Sequence, residues 1–529
     1  MSFARALFAV SGLTIVSRLA GFARDTIMAF VVGAGPVADA FFVAQRFPNL
    51  FRSLFAEGAF NSSFVPLYSD ERHRHGDKDA QEFAGEALAV MIAILVPFSA
   101  LVILAMPWLM HALAPGFSDE PEKYHLAVGF SQIAFPYLLL ISIAALQGSI
   151  LNARHKFVPA AAAPILYNCV MVVMLLAAYW GGFDIGYTLA WAVTLAGVVQ
   201  CGWLVLSCRK HGVPIPLRRP RMTPRVKHLF KQIGPGAIGA GAAQINLLMS
   251  TILASTLPTG AVSYLFYADR LYQLPLGVIG IAISTTLLPI MSRLVQTGDE
   301  DKIRHYFSRA VEVVLAIGLP ATAGLIMAAS PIIKTLFEHG QFGPSETEGT
   351  AAALAAYAVG VPAFLLVKVF AAGFFARYDT RTPVKVALVA LAANMAGSLL
   401  MIGPLQHVGI ALASGVATWI NAILLLWFLR RQGRVLFDDT ARRRIPRLLL
   451  CSALMAGLIG LLNKELAGFF VTGSMLMELT GLSILLAVAL LVYAALVQVT
   501  GAWRWQELPG MLKRSPETDP AAAEISPEE

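Results

Sequence analysis

The chain has 529 residues, of which 57% are hydrophobic and only 14% charged, with a mean hydropathy of +0.68, too apolar for a soluble protein whose surface must be solvated. Repeated windows of about 20 mostly apolar residues, each able to cross a hydrocarbon core of roughly 30 Å, mark an all-α polytopic membrane protein and exclude a string of soluble domains. The formal net charge of +8 does not point to nucleic acid, because Lys and Arg gather in alternate loops, the pattern of positive-inside topology.

In chain order, hydropathy with Gly, Pro and charge punctuation predicts about fourteen transmembrane helices, near 6–31, 37–68, 82–112, 124–152, 158–180, 186–208, 228–256, 262–292, 306–336, 348–376, 383–402, 408–430, 445–469 and 474–500. The first is read as a span rather than a signal peptide: no cleavage-site pattern follows it, and Arg18, Arg24 and Asp25 interrupt its apolar core. Loops after even-numbered spans, such as DERHRHGDKD, ARHK and RKHGVPIPLRRPRMTPRVKH, are rich in Arg and Lys, whereas those after odd-numbered spans, such as GAGPVA, APGFSDEPEK and LPTGAV, carry almost none. The basic set is expected in the cytoplasm, with both termini. Cys201 and Cys208 would lie roughly 10 Å apart along one helix, so no disulfide is expected.

An internal repeat organises the chain. SSFVPLYS at 62–69 resembles STTLLPIMS at 284–292, and a similar offset pairs VAQR at 43–46 with YADR at 267–270, ARHKFVP at 153–159 with ARYDTRTP at 376–383, and IGYTLA at 185–190 with VGIALA at 408–413. Six spans separate each pair, so the halves share one orientation and are related by an axis along the membrane normal. The expected domains are an N-terminal lobe at 1–212, a basic cytoplasmic linker at 213–227, a C-terminal lobe at 228–433, two extra helices within 434–500 and a tail at 501–529. Parallel lobes favour a transporter that rocks about a shared site, although duplication could also simply build a stable bundle.

Ionised groups at membrane depth persist where they face a bundle interior or a wet cavity. Arg18 lies about 18 Å into the first span and shares a face with Asp25, while a bend at Gly21 would bring in Arg24. On the second span Asp39, Arg46 and Ser53 keep a seven-residue spacing, Arg46, Asn49, Ser53 and Glu57 approximate one polar stripe, and Arg52 adjoins it. The eighth span carries Asp269 and Arg270, with Arg270 the repeat counterpart of Arg46. Each charge could instead sit in a packing ion pair, such as Arg24 with Asp39 or Arg270 with Asp269. For the set, arginines outnumber carboxylates, which predicts an anionic ligand; guanidinium forks suit a pyrophosphate. The run HRHGDKD at 73–79 is read as solvated charge rather than a metal site. Asn168 and Asn394, at comparable places in the two lobes, are expected to bond between helices. No Walker-type phosphate loop occurs, and no metal, cofactor or catalytic residue is expected.

SRLAGFARD at 17–25, DAFFVAQRFPNLFRSLFAEGAFNSSFVPLY at 39–68 and YADRLYQLPLGVIGIAISTTLLP at 267–289 resemble the MurJ (formerly MviN) family of lipid II flippases, as do APGF at 114–117, FPYLLLIS at 135–142 and LNARHKF at 151–157. The resemblance implies the multidrug, oligosaccharidyl-lipid and polysaccharide exporter superfamily, two six-helix lobes, and two C-terminal helices forming a groove for a lipid tail. It implies substrate-binding roles for Arg18, Arg24, Asp25, Asp39, Arg52 and Arg270, with Ser17, Arg46, Asn49, Ser53, Glu57 and Asp269 in support. Some relatives hold sodium with acidic residues on the seventh and eleventh helices; here neither helix has an interior Asp or Glu. The expected activity is alternating-access transfer of lipid II across the bacterial inner membrane, by a monomer whose partners are lipid II, membrane lipids and cell-wall synthesis or division proteins. The rival readings are an exporter of drugs or another polyprenyl-linked glycan, and a non-transporting scaffold.

Overall fold

The computed structural model describes residues 3–52, 59–433, 437–471 and 474–503, and their regular elements are all helices. In chain order these are α1 (Phe3–Val32), α2 (Pro36–Arg52), α3 (Ala59–His75), α4 (Asp77–Leu113), α5 (Pro121–Ala134), α6 (Tyr137–Ala153), α7 (Phe157–Gly181), α8 (Ile185–Lys210) and α9 (Pro224–Ser255). They continue with α10 (Ala261–Thr297), α11 (Glu300–Met327), α12 (Ala329–Phe337), α13 (Pro344–Ala358), α14 (Val361–Phe375), α15 (Arg381–Arg431), α16 (Asp439–Glu465), α17 (Ala467–Val471) and α18 (Met475–Val499). Among the described residues nine helical stretches are long and apolar enough to cross a membrane. Large apolar side chains stand exposed along them, including Leu104, Trp108 and Trp180, an arrangement that lipid tolerates and water does not.

Several predicted spans are two helices rather than one. The span at 124–152 breaks between α5 and α6 at Pro136, and the span at 348–376 breaks between α13 and α14 beside Pro362. Proline lacks the N–H that continues the ladder and its ring clashes with the preceding turn. Conversely, α15 joins the predicted spans 383–402 and 408–430, with a sharp kink at Gln406 (φ 48°, ψ −131°) just after Pro404.

The repeat extends to the backbone. His155 and Tyr378, in the matching ARH and ARY turns, are both left-handed (φ 57° and 60°), and so are Gly76 and Gly298, and Gly212 and Gly433, each pair separated by roughly 220 residues. A left-handed non-glycine residue is uncommon. In each ARH or ARY turn an amide bonds back to a carbonyl five residues earlier, Lys156 to Leu151 and Asp379 to Phe374, which satisfies a carbonyl the ending helix would otherwise orphan.

The chain folds into two compact units, Met1–Leu274 with Ala329–Gly360 and Val384–Asn421, and Pro275–Ala328 with Val361–Pro383 and Ala422–Glu529. Within the first, α7 packs along α1 and α8, α2 along α5, and α3 against α4, α6 and α9, over a buried aromatic stack of Phe60, Phe64, Tyr68 and Phe83. Within the second, α11 is the hub for α14 and α16, and α16 packs on α18. Tyr493 donates to the Ala316 carbonyl (2.7 Å) and Asn463 to the Met327 carbonyl (2.6 Å), so the last helices are tied to α11 along its length.

Candidate functional site

Arg24 of α1 and Arg270 of α10 converge on one carboxylate. Asp25 is 2% exposed; its Oδ1 accepts from Arg24 Nε (3.0 Å) and Nη2 (2.6 Å), and its Oδ2 lies 3.3 Å from Arg270 Nε on α10. The ion pair is therefore neither Arg24 with Asp39 nor Arg270 with Asp269: Asp25 serves both arginines. Arg24 Nη1 also donates to Asn168 Oδ1 (3.1 Å), and Asn168 Nδ2 donates to the Ser17 carbonyl (3.2 Å). Asn168 thus clamps α7 to α1 and turns Arg24 inward, beside the Tyr167 ring at 5.8 Å. The helix is continuous through Gly21, whose missing side chain gives Asn168 close access, since a Cβ there would sit 3.5 Å from its Nδ2. Arg18 is exposed.

The opposite flank comes from α2 and α10. Arg46 and Arg270 both lie over the Phe266 ring, at 6.0 and 4.8 Å, and Phe266 stacks on Phe42. Asp269 is in electrostatic range of Arg46 and Arg270 and accepts from Gln273. Arg52 donates to Asn49 Oδ1 at 3.2 Å, and Arg24 and Arg52 are both in electrostatic range of Tyr137 and Tyr167. Arg46 Nε is buried without a hydrogen-bond acceptor among the described residues. Arg24, Arg46 and Arg270 thus stand around two carboxylates, Asp25 and Asp269, and among the described residues Arg46 Nε holds donor capacity in reserve. Such a site can take up a multiply charged oxyanion, because guanidinium forks match phosphate oxygens. Ser53 and Glu57 lie outside the described residues.

Asp39 belongs to a different cluster. It is 1% exposed and accepts from Gly260 N (2.7 Å), Ser263 N (2.9 Å) and Ser263 Oγ (2.5 Å), with Lys123 Nζ at 3.3 Å. Its carboxylate therefore meets the free amides that begin α10, where the helix dipole favours an anion. Lys123, 2% exposed, also donates to Thr259 Oγ1 (3.0 Å) and lies over the Phe117 ring at 4.3 Å. Around this group the turns approach backbone to backbone. The Gln341 amide donates to the Phe30 carbonyl (2.9 Å) and Tyr267 Oη to the Gly33 carbonyl (3.1 Å). A Cβ on Gly340 would lie 2.3 Å from the Phe30 carbonyl oxygen and one on Gly33 2.6 Å from the Gln341 oxygen. This end of the first unit, carrying the short loops at 33–35, 256–260 and 338–343, is shut.

Tyr167, Gln45, which donates to Tyr167 Oη (3.2 Å), Phe266 and Lys123 escaped the sequence reading. Tyr167 and Phe266 look like any membrane-helix aromatics. Lys123 did leave a signal, as the one basic residue of the loop APGFSDEPEK.

A family model described as lipid II flippase MurJ matches residues 28–481. A probable lipid II flippase MurJ of Rhizobium meliloti (strain 1021) is 45% identical over 460 residues, 86% of this chain and 86% of that protein. The lipid II flippase MurJ of Burkholderia cenocepacia is 35% identical over 442 residues, 82% of this chain and 85% of its own length. Among solved structures, a lipid II flippase MurJ in an inward closed conformation superposes with a TM-score of 0.76 at 25% identity, covering 93% of this chain and 98% of that one. An inward-facing multidrug resistance MATE family transporter of the MOP superfamily, with a TM-score of 0.67 at 15% identity over 83% of this chain and 98% of its own, shares the fold. With the family model spanning most of its length and an arginine-rich site on its first, second and tenth helices, this chain belongs to the MurJ family of lipid II flippases.

Proposed function

We infer that this chain moves lipid II, the undecaprenyl-pyrophosphoryl-linked disaccharide pentapeptide, from the inner to the outer leaflet of the cytoplasmic membrane by alternating access. The observation that carries the reading is the surplus of arginine around Asp25. A diphosphate approaching Arg24 and Arg270 competes with Asp25 for their N–H groups, and Arg46 adds a donor on the neighbouring wall. Asp25 keeps the guanidiniums oriented and partly neutralised between transport events, which lowers the cost of burying them. Asp39 acts apart from that site, as a latch that holds the opposite end closed.

In this reading the lobes at 1–212 and 228–433 rock about the arginine site, the linker at 213–227 joins them, and the helices within 434–500 accommodate the tail. Basic alternate loops support a cytoplasmic location for both termini. The chain works as a monomer, without cofactor or metal, and bond-making is left to cell-wall enzymes that meet it at the membrane. A net charge carried across couples to the membrane potential at about 2.3 kcal/mol per charge per 100 mV.

The test is complementation in cells depleted of the native flippase. Arg24→Ala and Arg270→Ala should fail to restore growth at wild-type expression and leave lipid II in the inner leaflet. Full growth of the double variant would exclude the arginine site as the substrate site. A drug or glycan exporter would instead leave lipid II distribution unchanged on depletion, and a scaffold would tolerate both substitutions.

A further inference from the structure

The segment between α8 and α9 is not absorbed by the transport reading. It contains three prolines, Pro214, Pro216 and Pro220, with a fourth, Pro224, opening α9, and the basic run RRPR at 218–221. Proline fixes φ, so such a segment is stiff. It is also fastened along the start of α4. Gln81 Nε2 donates to the Gly212 carbonyl (3.4 Å), Arg218 Nη2 pairs with Glu82 Oε1 (2.7 Å), and Thr223 Oγ1 and Arg225 Nε donate to Glu86 Oε2 (2.9 and 3.0 Å). The Pro216 carbonyl presses on Gly85, where a Cβ would lie 2.4 Å away. Yet Leu217 is 86% exposed and Met222 57% exposed, and Arg219 and Arg221 are exposed beside them.

The depth of this segment follows from the helices that bracket it. After Glu86, α4 has no Asp, Glu, Lys or Arg through its last residue, Leu113, so Gly85 and Glu86 stand within about one helical turn of the hydrocarbon boundary. The segment leaves α8 just after that helix turns basic at Arg209 and Lys210, and it enters α9 before its last basic residue, Lys231. Pro216 and its neighbour Leu217 are thereby placed at headgroup level.

We propose that residues 213–223 form a rigid strap that docks on anionic phospholipid headgroups, with Leu217 and Met222 inserted among the acyl chains and Arg219 and Arg221 on the phosphates. Charge complementarity selects this occupant: basic segments beside a membrane helix are drawn to anionic lipid within a Debye length, and apolar side chains next to arginines suit the interfacial layer. The prolines reduce the ordering cost of presenting both side chains together.

The experiment uses the full chain with its four cysteines replaced and an environment-sensitive fluorophore on Leu217→Cys, in nanodiscs of phosphatidylcholine or of a phosphatidylcholine–phosphatidylglycerol mixture. The expected result is blue-shifted emission, quenched by brominated acyl chains, that is stronger in the mixture and reversed by salt. Arg219→Gln with Arg221→Gln should bring the mixture to the phosphatidylcholine value. Water-like emission in both lipids overturns the proposal, and equal burial in both, insensitive to salt, overturns its anionic specificity. Hydrogen exchange of the strap in the unmodified chain provides a second reading: amide protection in the mixture over phosphatidylcholine is expected, and equal exchange overturns it.

Discussion

A carboxylate between two guanidiniums and a carboxylate on a helix N-terminus do different work, and Asp25 and Asp39 separate the two cases. Asp25→Asn keeps the shape but removes the carboxylate with which a diphosphate must compete for Arg24 and Arg270, so lipid II binding by the purified variant should tighten about tenfold or more, consistent with one lost charge-assisted bond of roughly 1.5–3 kcal/mol. Unchanged affinity would mean that Asp25 only packs the helices. Asp39→Ala leaves the buried Lys123 only the half-exposed Glu120 carboxylate at 3.5 Å, so the cost approaches but stays below the about 3–5 kcal/mol of a buried pair that loses one partner outright. Ser263→Ala removes a single hydroxyl bond to the Asp39 carboxylate and should cost about 1.5–3 kcal/mol. Accessibility of a cysteine at Ala34 to a membrane-impermeant reagent should therefore rise strongly in the first variant and less in the second. Equal labelling of both variants and wild type would dismiss the latch.

At the scale of elements, α11 and α16 are joined through ion pairs at their ends. Arg309 bonds to Glu312 Oε2 (2.5 Å) and to both oxygens of Asp438 (2.9 Å each), and Arg444 reaches Glu312 (3.4 Å). Asp438 caps α16 through the Ala441 amide (2.7 Å). Burial raises its pKa, but that amide and the Arg309 guanidinium outweigh burial and hold it below the usual Asp range. A depressed carboxylate contributes stability at neutral pH and loses it as pH falls through its folded value. Melting curves should show the Asp438 contribution to the α16 anchorage surviving mild acid and failing only below the ordinary Asp range. In Asp438→Asn that acid step should disappear and the neutral-pH melting temperature should fall. The breaks at Pro136 and Pro362 were partly legible, since both prolines stood out in the sequence, but a proline can bend a helix or end it. Which occurs depends on whether neighbouring helices satisfy the freed carbonyls.

Within the whole molecule, the backbone contacts among the loops at 33–35, 256–260 and 338–343, all in the first unit, describe one closed end of that unit. Cysteines at Phe30 and Gln341, whose backbones share a 2.9 Å hydrogen bond, should form a disulfide in oxidant that arrests flipping, with recovery on reduction. Sustained transport with the bond formed would show that this end need not open. The membrane class, the helical fold and the family were all readable from composition, hydropathy and motif, because crossing a bilayer forces long apolar helices and a duplicated chain keeps its turns. The matching left-handed residues His155 and Tyr378 carry the same duplication at a level no hydropathy profile reaches.

By itself, then, the sequence determined that buried charges exist on α1, α2 and α10 and that arginine exceeds carboxylate among them. It also placed them on helix faces, since a period of 3.6 residues assigns each side chain an angle. Only the tertiary structure decided the partners. It took Asp25 for Arg24 and Arg270, left Arg18 exposed, and drew Asp39 away to Gly260, Ser263 and Lys123. The physical reason is that a helix fixes the direction of a charge but not what stands opposite. The bond from Ser263 to Asp39 spans 224 residues and exists only once separate helices have packed.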